Sequence, residues 1–143
     1  MLLGSYSHSI DKKGRVFMPI KLRDELGEKF IATRGLGKCL FVFPMEDWNA
    51  LYEKLRELPL TDKSSQQFIR LLFASAVECE PDKQGRILIP QRLRDYAEIG
   101  EEALVIGVMT RVEIWSPENW DAYQEGSEEN FDETLAILAG RGI

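Results

Sequence analysis

The chain has 143 residues, 44% of them hydrophobic and 29% charged, with a formal net charge of −6. That length sets an expectation of one domain, and the apolar content excludes global disorder. The acidic balance argues against a nonspecific nucleic-acid sponge, no apolar run approaches the roughly 18 residues of a membrane span, and the first residues lack the basic flank of a signal peptide, so a soluble intracellular protein is expected.

In chain order, residues 5–10 alternate polar and larger side chains, which predicts a half-buried strand with Tyr6, His8 and Ile10 on one face. Asp11 and Gly14 then predict a turn closing a short hairpin with a bulge: Asp bonds forward to the main chain and Gly accepts a left-handed conformation. Residues 15–18 form the return strand, and Pro19 opens a two-turn helix over 20–26 that Gly27 ends. Residues 30–34 and 39–43 pair around the Gly35-Leu36-Gly37 loop. A helix from Pro44 to about Glu57 carries Trp48, Leu51, Tyr52 and Leu55 on one stripe. Thr61 or Asp62 caps a further helix containing Phe68, Leu71 and Leu72.

The chain then writes its first unit again: DKKGRVFMPIKLRD at residues 11–24 returns as DKQGRILIPQRLRD at residues 82–95. Strands are expected at 76–80, 86–89, 104–108 and 111–115, with a short helix after Pro90. Ser116 and Pro117 start the helix carrying Trp120, and residues 127–139 form a last helix with Phe131, Leu135 and Leu138 on one side and acidic residues near its start. A ββαββ unit of roughly 45 residues is below the roughly 70 at which a lone core sustains itself, so the two copies must share a core. The expected layout is unit 1 at 5–47, a helical connector at 48–75, unit 2 at 76–119 and a C-terminal helical segment at 120–143.

Positive charge is concentrated in the repeat, since residues 11–24 carry a net +3, residues 82–95 a net +2 and the remainder −11. Turn chemistry explains Asp11 and Gly14, but it does not require Arg15 and Arg86 or the neighbouring Lys12, Lys13 and Lys83. A rigid guanidinium fork beside lysines suits phosphate oxygens or guanine edges, and Asp11 and Asp82 would hold their arginines as bidentate pairs. His8 is the single histidine and corresponds to Cys79 in the repeat, so it is read as packing. The sequence offers no nucleophilic triad and no zinc set, hence no enzyme, metal or cofactor is expected. Cys39 and Cys79 are read as buried thiols, and Trp48 and Trp120 as core residues in preference to a stacking platform.

The doubled D-x-x-G-R unit, the strand-Pro-helix continuations, and the phrases ATRGLGKCLF at residues 32–41 and EIWS at 113–116 together resemble the bacterial MraZ proteins over essentially the whole chain. The resemblance implies two SpoVT/AbrB-like units folded as an α+β, swapped-hairpin β-barrel with pseudo-two-fold symmetry, flanked by helices. It further implies a nucleoid-associated cytoplasmic transcriptional regulator of a cell-division and cell-wall gene cluster, assembled as a ring-like homo-oligomer. Such a protein binds direct repeats of double-stranded DNA upstream of its own operon through D-x-x-x-R motifs, which are Asp11/Arg15 and Asp82/Arg86 here. Lys13 and Gln84 fill the variable position, so the two copies need not contact DNA equally. The alternative is an oligomeric scaffold whose basic turns bind an acidic protein partner.

Overall fold

The computed structural model describes residues 1–142; Ile143, the end of the expected C-terminal segment, lies outside the described residues. The elements run β1 (Ser5–Ser9), β2 (Arg15–Phe17), α1 (Ile20–Leu26), β3 (Phe30–Arg34), β4 (Cys39–Pro44), α2 (Met45–Leu55) and α3 (Lys63–Ser75). The second copy follows as β5 (Val77–Cys79), β6 (Arg86–Leu88), α4 (Gln91–Tyr96), β7 (Glu102–Val108) and β8 (Arg111–Trp115), then α5 (Pro117–Glu129) and α6 (Phe131–Ala139). The chain is a mixed α+β structure of two repeated units.

The copies are interleaved strand by strand. Exchanging them maps β1 onto β5, β2 onto β6, β3 onto β7 and β4 onto β8, and the antiparallel pairing obeys that exchange. β1 pairs with β7 while β5 pairs with β3, and β2–β6 and β4–β8 are self-matching. Val16 faces Ile87 at the centre of one self-matching pair and Phe41 faces Glu113 at the centre of the other. These two points lie on the pseudo-two-fold axis.

The strands do not close into one hydrogen-bonded barrel. They divide into a six-stranded sheet ordered β1-β7-β8-β4-β3-β5 and a separate two-stranded β2–β6 ribbon. The local hairpin expected at Asp11–Gly14 is likewise reduced to a turn. Only the Ile10–Val16 bridge joins β1 to β2, because β2 turns away to pair with the other copy. The ribbon is short because Pro19 and Pro90 bring no N–H to extend its ladder.

Both faces of the large sheet are covered, which is why β4 is buried from Cys39 through Phe43 and reads as a continuous apolar run. On one face Val16, Met18, Leu22, Ile87, Ile89 and Leu93 of the ribbon, α1 and α4 pack against Phe30, Leu40 and Ile114. On the other, α2, α3 and α5 cover Ile31, Phe41, Phe43 and Trp115. Trp48 is buried there against Phe43 and Phe73, and Trp120 packs edge-on to Trp115 at 5.4 Å between ring centroids. Each copy supplies residues to the first cluster, so neither could form it alone.

Two helix expectations need correction. Asp62 precedes α3 but makes no capping bond to its main chain, accepting instead from the Ser65 hydroxyl. The last helix does not span 127–139: α5 continues through Glu129 and the chain bends at Asn130 before α6. Glu128 and Glu129 therefore end a helix, where the dipole disfavours them, and only Asp132 and Glu133 lie in a favourable first turn. Ser116 does cap α5, accepting from the Asn119 amide at 3.1 Å.

Candidate nucleic-acid interface

The ribbon is the scaffold of the site. Val16 and Ile87 point into the core and are fully buried, so pleat alternation turns Arg15, Phe17, Arg86 and Leu88 outward on one face. Each arginine follows a turn whose glycine is in the left-handed region, φ 89° at Gly14 and 80° at Gly85. The turns are bolted to each other, since the Met18 N–H donates to the Gly85 carbonyl at 2.9 Å and the Ile89 N–H to the Gly14 carbonyl at 2.8 Å.

Within each turn the aspartate organises both main chain and side chain. Asp11 Oδ1 accepts from the amides of Lys13 and Arg15 at 3.0 and 2.9 Å, and its Oδ2 accepts from Arg15 Nε at 2.7 Å. Asp82 repeats this with the amides of Gln84 and Arg86 and with Arg86 Nε, all at 2.9 Å. The expected bidentate pairing is thus corrected to one guanidinium bond per aspartate, because the other oxygen is needed to form the turn. That arrangement fixes the plane of the arginine through Nε and leaves its terminal nitrogens without a hydrogen bond among the described residues. The backbone N–H of Arg15, and then its guanidinium, hold the Asp11 carboxyl below the usual aspartate range, and Arg86 does the same for Asp82. The two motifs also meet, with Arg86 Nη1 3.7 Å from Asp11 Oδ2 across the axis.

Lys12, Lys13 and Lys83 are exposed on the turns, and Arg15 and Arg86 are half-buried behind them. Two further arginines join this surface and were not singled out by sequence reasoning. Arg23 on α1 donates from Nε to the Met18 carbonyl at 2.7 Å, and Arg94 on α4 donates to the Ile89 carbonyl at 2.9 Å. Their identity across the repeat was the available signal. What it could not show is that each lies over the other copy's turn.

The remaining candidates resolve as packing. His8 is half-buried with its ring 5.1 Å from Phe17. Burial pushes the Cys39 thiol up to about 12 and the Cys79 thiol up to about 11. In the Gly35–Gly37 loop the main-chain carbonyls accept from the Tyr96 hydroxyl at 2.9 and 2.6 Å. Among the described residues no helix is long and apolar enough to cross a membrane, and no group of three His, Cys, Asp or Glu side chains could hold a metal ion.

Comparison with known proteins agrees with the doubled architecture. The model of the family described as "MraZ protein, putative antitoxin-like" matches twice, over residues 1–71 and 72–141. A relative from Halothermothrix orenii, named Transcriptional regulator MraZ, is 49% identical over 143 residues, covering 100% of both chains. Relatives of the same name from Carboxydothermus hydrogenoformans and Caldicellulosiruptor saccharolyticus are 53% identical over 133 residues and 56% identical over 137 residues. The first covers 93% of each chain, and the second covers 96% of this chain and 92% of the relative. With two family matches laid end to end, close relatives over the full length and one D-x-x-x-R turn in each copy, the chain belongs to the MraZ family.

Proposed function

We propose that the protein is a sequence-specific DNA-binding transcriptional regulator that acts on its own cell-division and cell-wall gene cluster and is nucleoid-associated in the cytoplasm. Its relatives carry the name of transcriptional regulators. The observation that carries DNA binding is the ribbon face, where Asp-locked Arg15 and Arg86 stand with Lys12, Lys13 and Lys83 in a chain whose net charge is −6. A basic face on an acidic body fits a polyanion approached from one direction and repelled elsewhere. Lysines at the turn tips hold phosphates and set the register, while the planar arginines reach phosphates or base edges.

One subunit offers few contacts, so several act together on direct repeats as a ring-like homo-oligomer. Two complementary surfaces support self-association. A cleft of about 500 Å³ is lined by Leu36, Phe41, Leu51, Phe68 and Leu71 together with Arg34, Lys54 and Asp47. The C-terminal helix exposes Phe131, Leu135 and Ile137 beside Asp132 and Glu133. An apolar helix in one copy fits an apolar cleft in the next. Such a head-to-tail contact closes into a ring when its rotation permits.

The test is a gel shift with a duplex carrying the region upstream of the protein's own gene, against a scrambled duplex of equal length. Retention of the first at concentrations that leave the second free supports the proposal. Equal retention, or none, rejects it in favour of a scaffold for an acidic protein partner.

A further inference from the structure

Arg94 belongs to the second copy by sequence, yet it lies on the first copy's turn. A Cβ placed on Gly14 would come within 2.7 Å of the Arg94 guanidinium, and one placed on Gly85 within 2.7 Å of that of Arg23. Each guanidinium therefore lies against a turn glycine of the opposite copy, a close approach that a side chain at that glycine would block. Its Nε is tied to a main-chain carbonyl, Met18 for Arg23 and Ile89 for Arg94. Arg23 also lies over the Phe17 ring, 5.2 Å from its centroid. In the hydrogen bonds of the described residues only Nε of each of these two guanidinium groups is engaged. Two half-buried, oriented cations thus back the exposed turn lysines, with the N–H edge of the fork left for an oxygen ligand.

We infer that each DNA-contacting turn is a composite of both copies: Arg94 completes the turn bearing Lys12 and Lys13, and Arg23 completes the turn bearing Lys83, each supplying a guanidinium to the phosphate held there. This rests on the DNA-binding proposal above and extends it to two residues and to a crossed wiring. A phosphate over the first turn is held from outside by Lys12 and from beneath by Arg94, so the two must act cooperatively. Lys12 and Arg23 serve opposite turns and must act independently, although only 11 residues separate them in sequence.

The crossed wiring is tested by fluorescence anisotropy on the duplex upstream of the protein's own gene, using the full-length chain and double-mutant cycles. Lys12→Ala, Arg94→Ala and Arg23→Ala are each expected to weaken binding about tenfold, as removal of roughly one charge-assisted hydrogen bond should. In the Lys12→Ala/Arg94→Ala pair the combined loss falls short of the product of the single losses, whereas Lys12→Ala/Arg23→Ala gives the full product. Should Arg94→Ala disturb folding, Arg94→Gln keeps a stem against Gly14 and an amide for the Ile89 carbonyl, and carries the same expectation. Wild-type affinity in a folded Arg94→Ala or Arg94→Gln protein, or coupling of Lys12 to Arg23 in place of Arg94, overturns the inference alone. Wild-type protein that fails to bind the duplex overturns the DNA proposal and this inference with it.

Discussion

Asp11 and Asp82 show how much one side chain can organise. Each closes a turn with one oxygen and orients an arginine with the other. Because the folded carboxyls titrate below the ordinary aspartate range, their stabilisation is complete above that range and is lost as pH falls through the lowered folded values. Carboxyl-carbon NMR titration should find both aspartates protonating below the ordinary aspartate range; titration within that range would contradict the locked turns. Gly14→Ala is expected to destabilise by more than about 1 kcal/mol, since it forces an L side chain into positive φ and against Arg94. An unchanged denaturant midpoint would refute that. At this scale the sequence was readable where chemistry is local. The Asp–Arg spacing and the turn glycines follow from neighbours and the packed histidine from its counterpart Cys79 in the repeat, but the roles of Arg23 and Arg94 depend on which turn lies under them, and that is decided by topology.

Elements were legible where periodicity and punctuation coincide. β3 spans the expected 30–34, β8 spans 111–115, and α1 spans 20–26 before Gly27 ends it with its N–H on the Arg23 carbonyl at 3.0 Å. Pairing was harder, since a D-x-x-G turn reads as a local hairpin whether the next strand returns to its neighbour or crosses to another copy. The bend at Asn130 was also hidden, because residues 124–130 read QEGSEEN and carry no apolar residue whose spacing could mark where one helix ends and the next begins. α6 is left with Phe131 66% exposed and Leu135 50% exposed on one side, and an unpartnered stripe of that kind calls for a covering surface. Removing residues 127–143 is expected to shift sedimentation toward smaller species while the melting temperature stays within a few degrees. An unchanged oligomer with a much lower melting temperature would instead place the stripe against its own subunit.

For the whole molecule, interleaving makes the two copies interdependent. β5 has its partner in β3, and β6 has its partner in β2, so a chain beginning at Ala76 loses both ladders and half of the shared core. That fragment is expected not to fold as a monomer, and a cooperative, concentration-independent thermal transition would contradict the shared-core account. Ile87→Ala, at the axis, should cost the intact chain about 2–5 kcal/mol. The same symmetry places both D-x-x-x-R turns on one ribbon, so DNA would meet two equivalent arginines at once. The most direct measurement of that claim is the affinity of the Arg15→Ala/Arg86→Ala protein for its upstream DNA across a salt series. The double variant should stay folded and assembled, because each aspartate still closes its turn through Oδ1 on main-chain amides and no core residue is changed. Its binding should weaken, and the slope of log affinity against log salt should flatten by roughly 0.9 for each phosphate that is no longer neutralised. If the arginines read bases, discrimination against random DNA falls instead, by about 1 to 3 kcal/mol for each bidentate pair. A folded, assembled double variant that keeps wild-type affinity, salt slope and discrimination would contradict the account.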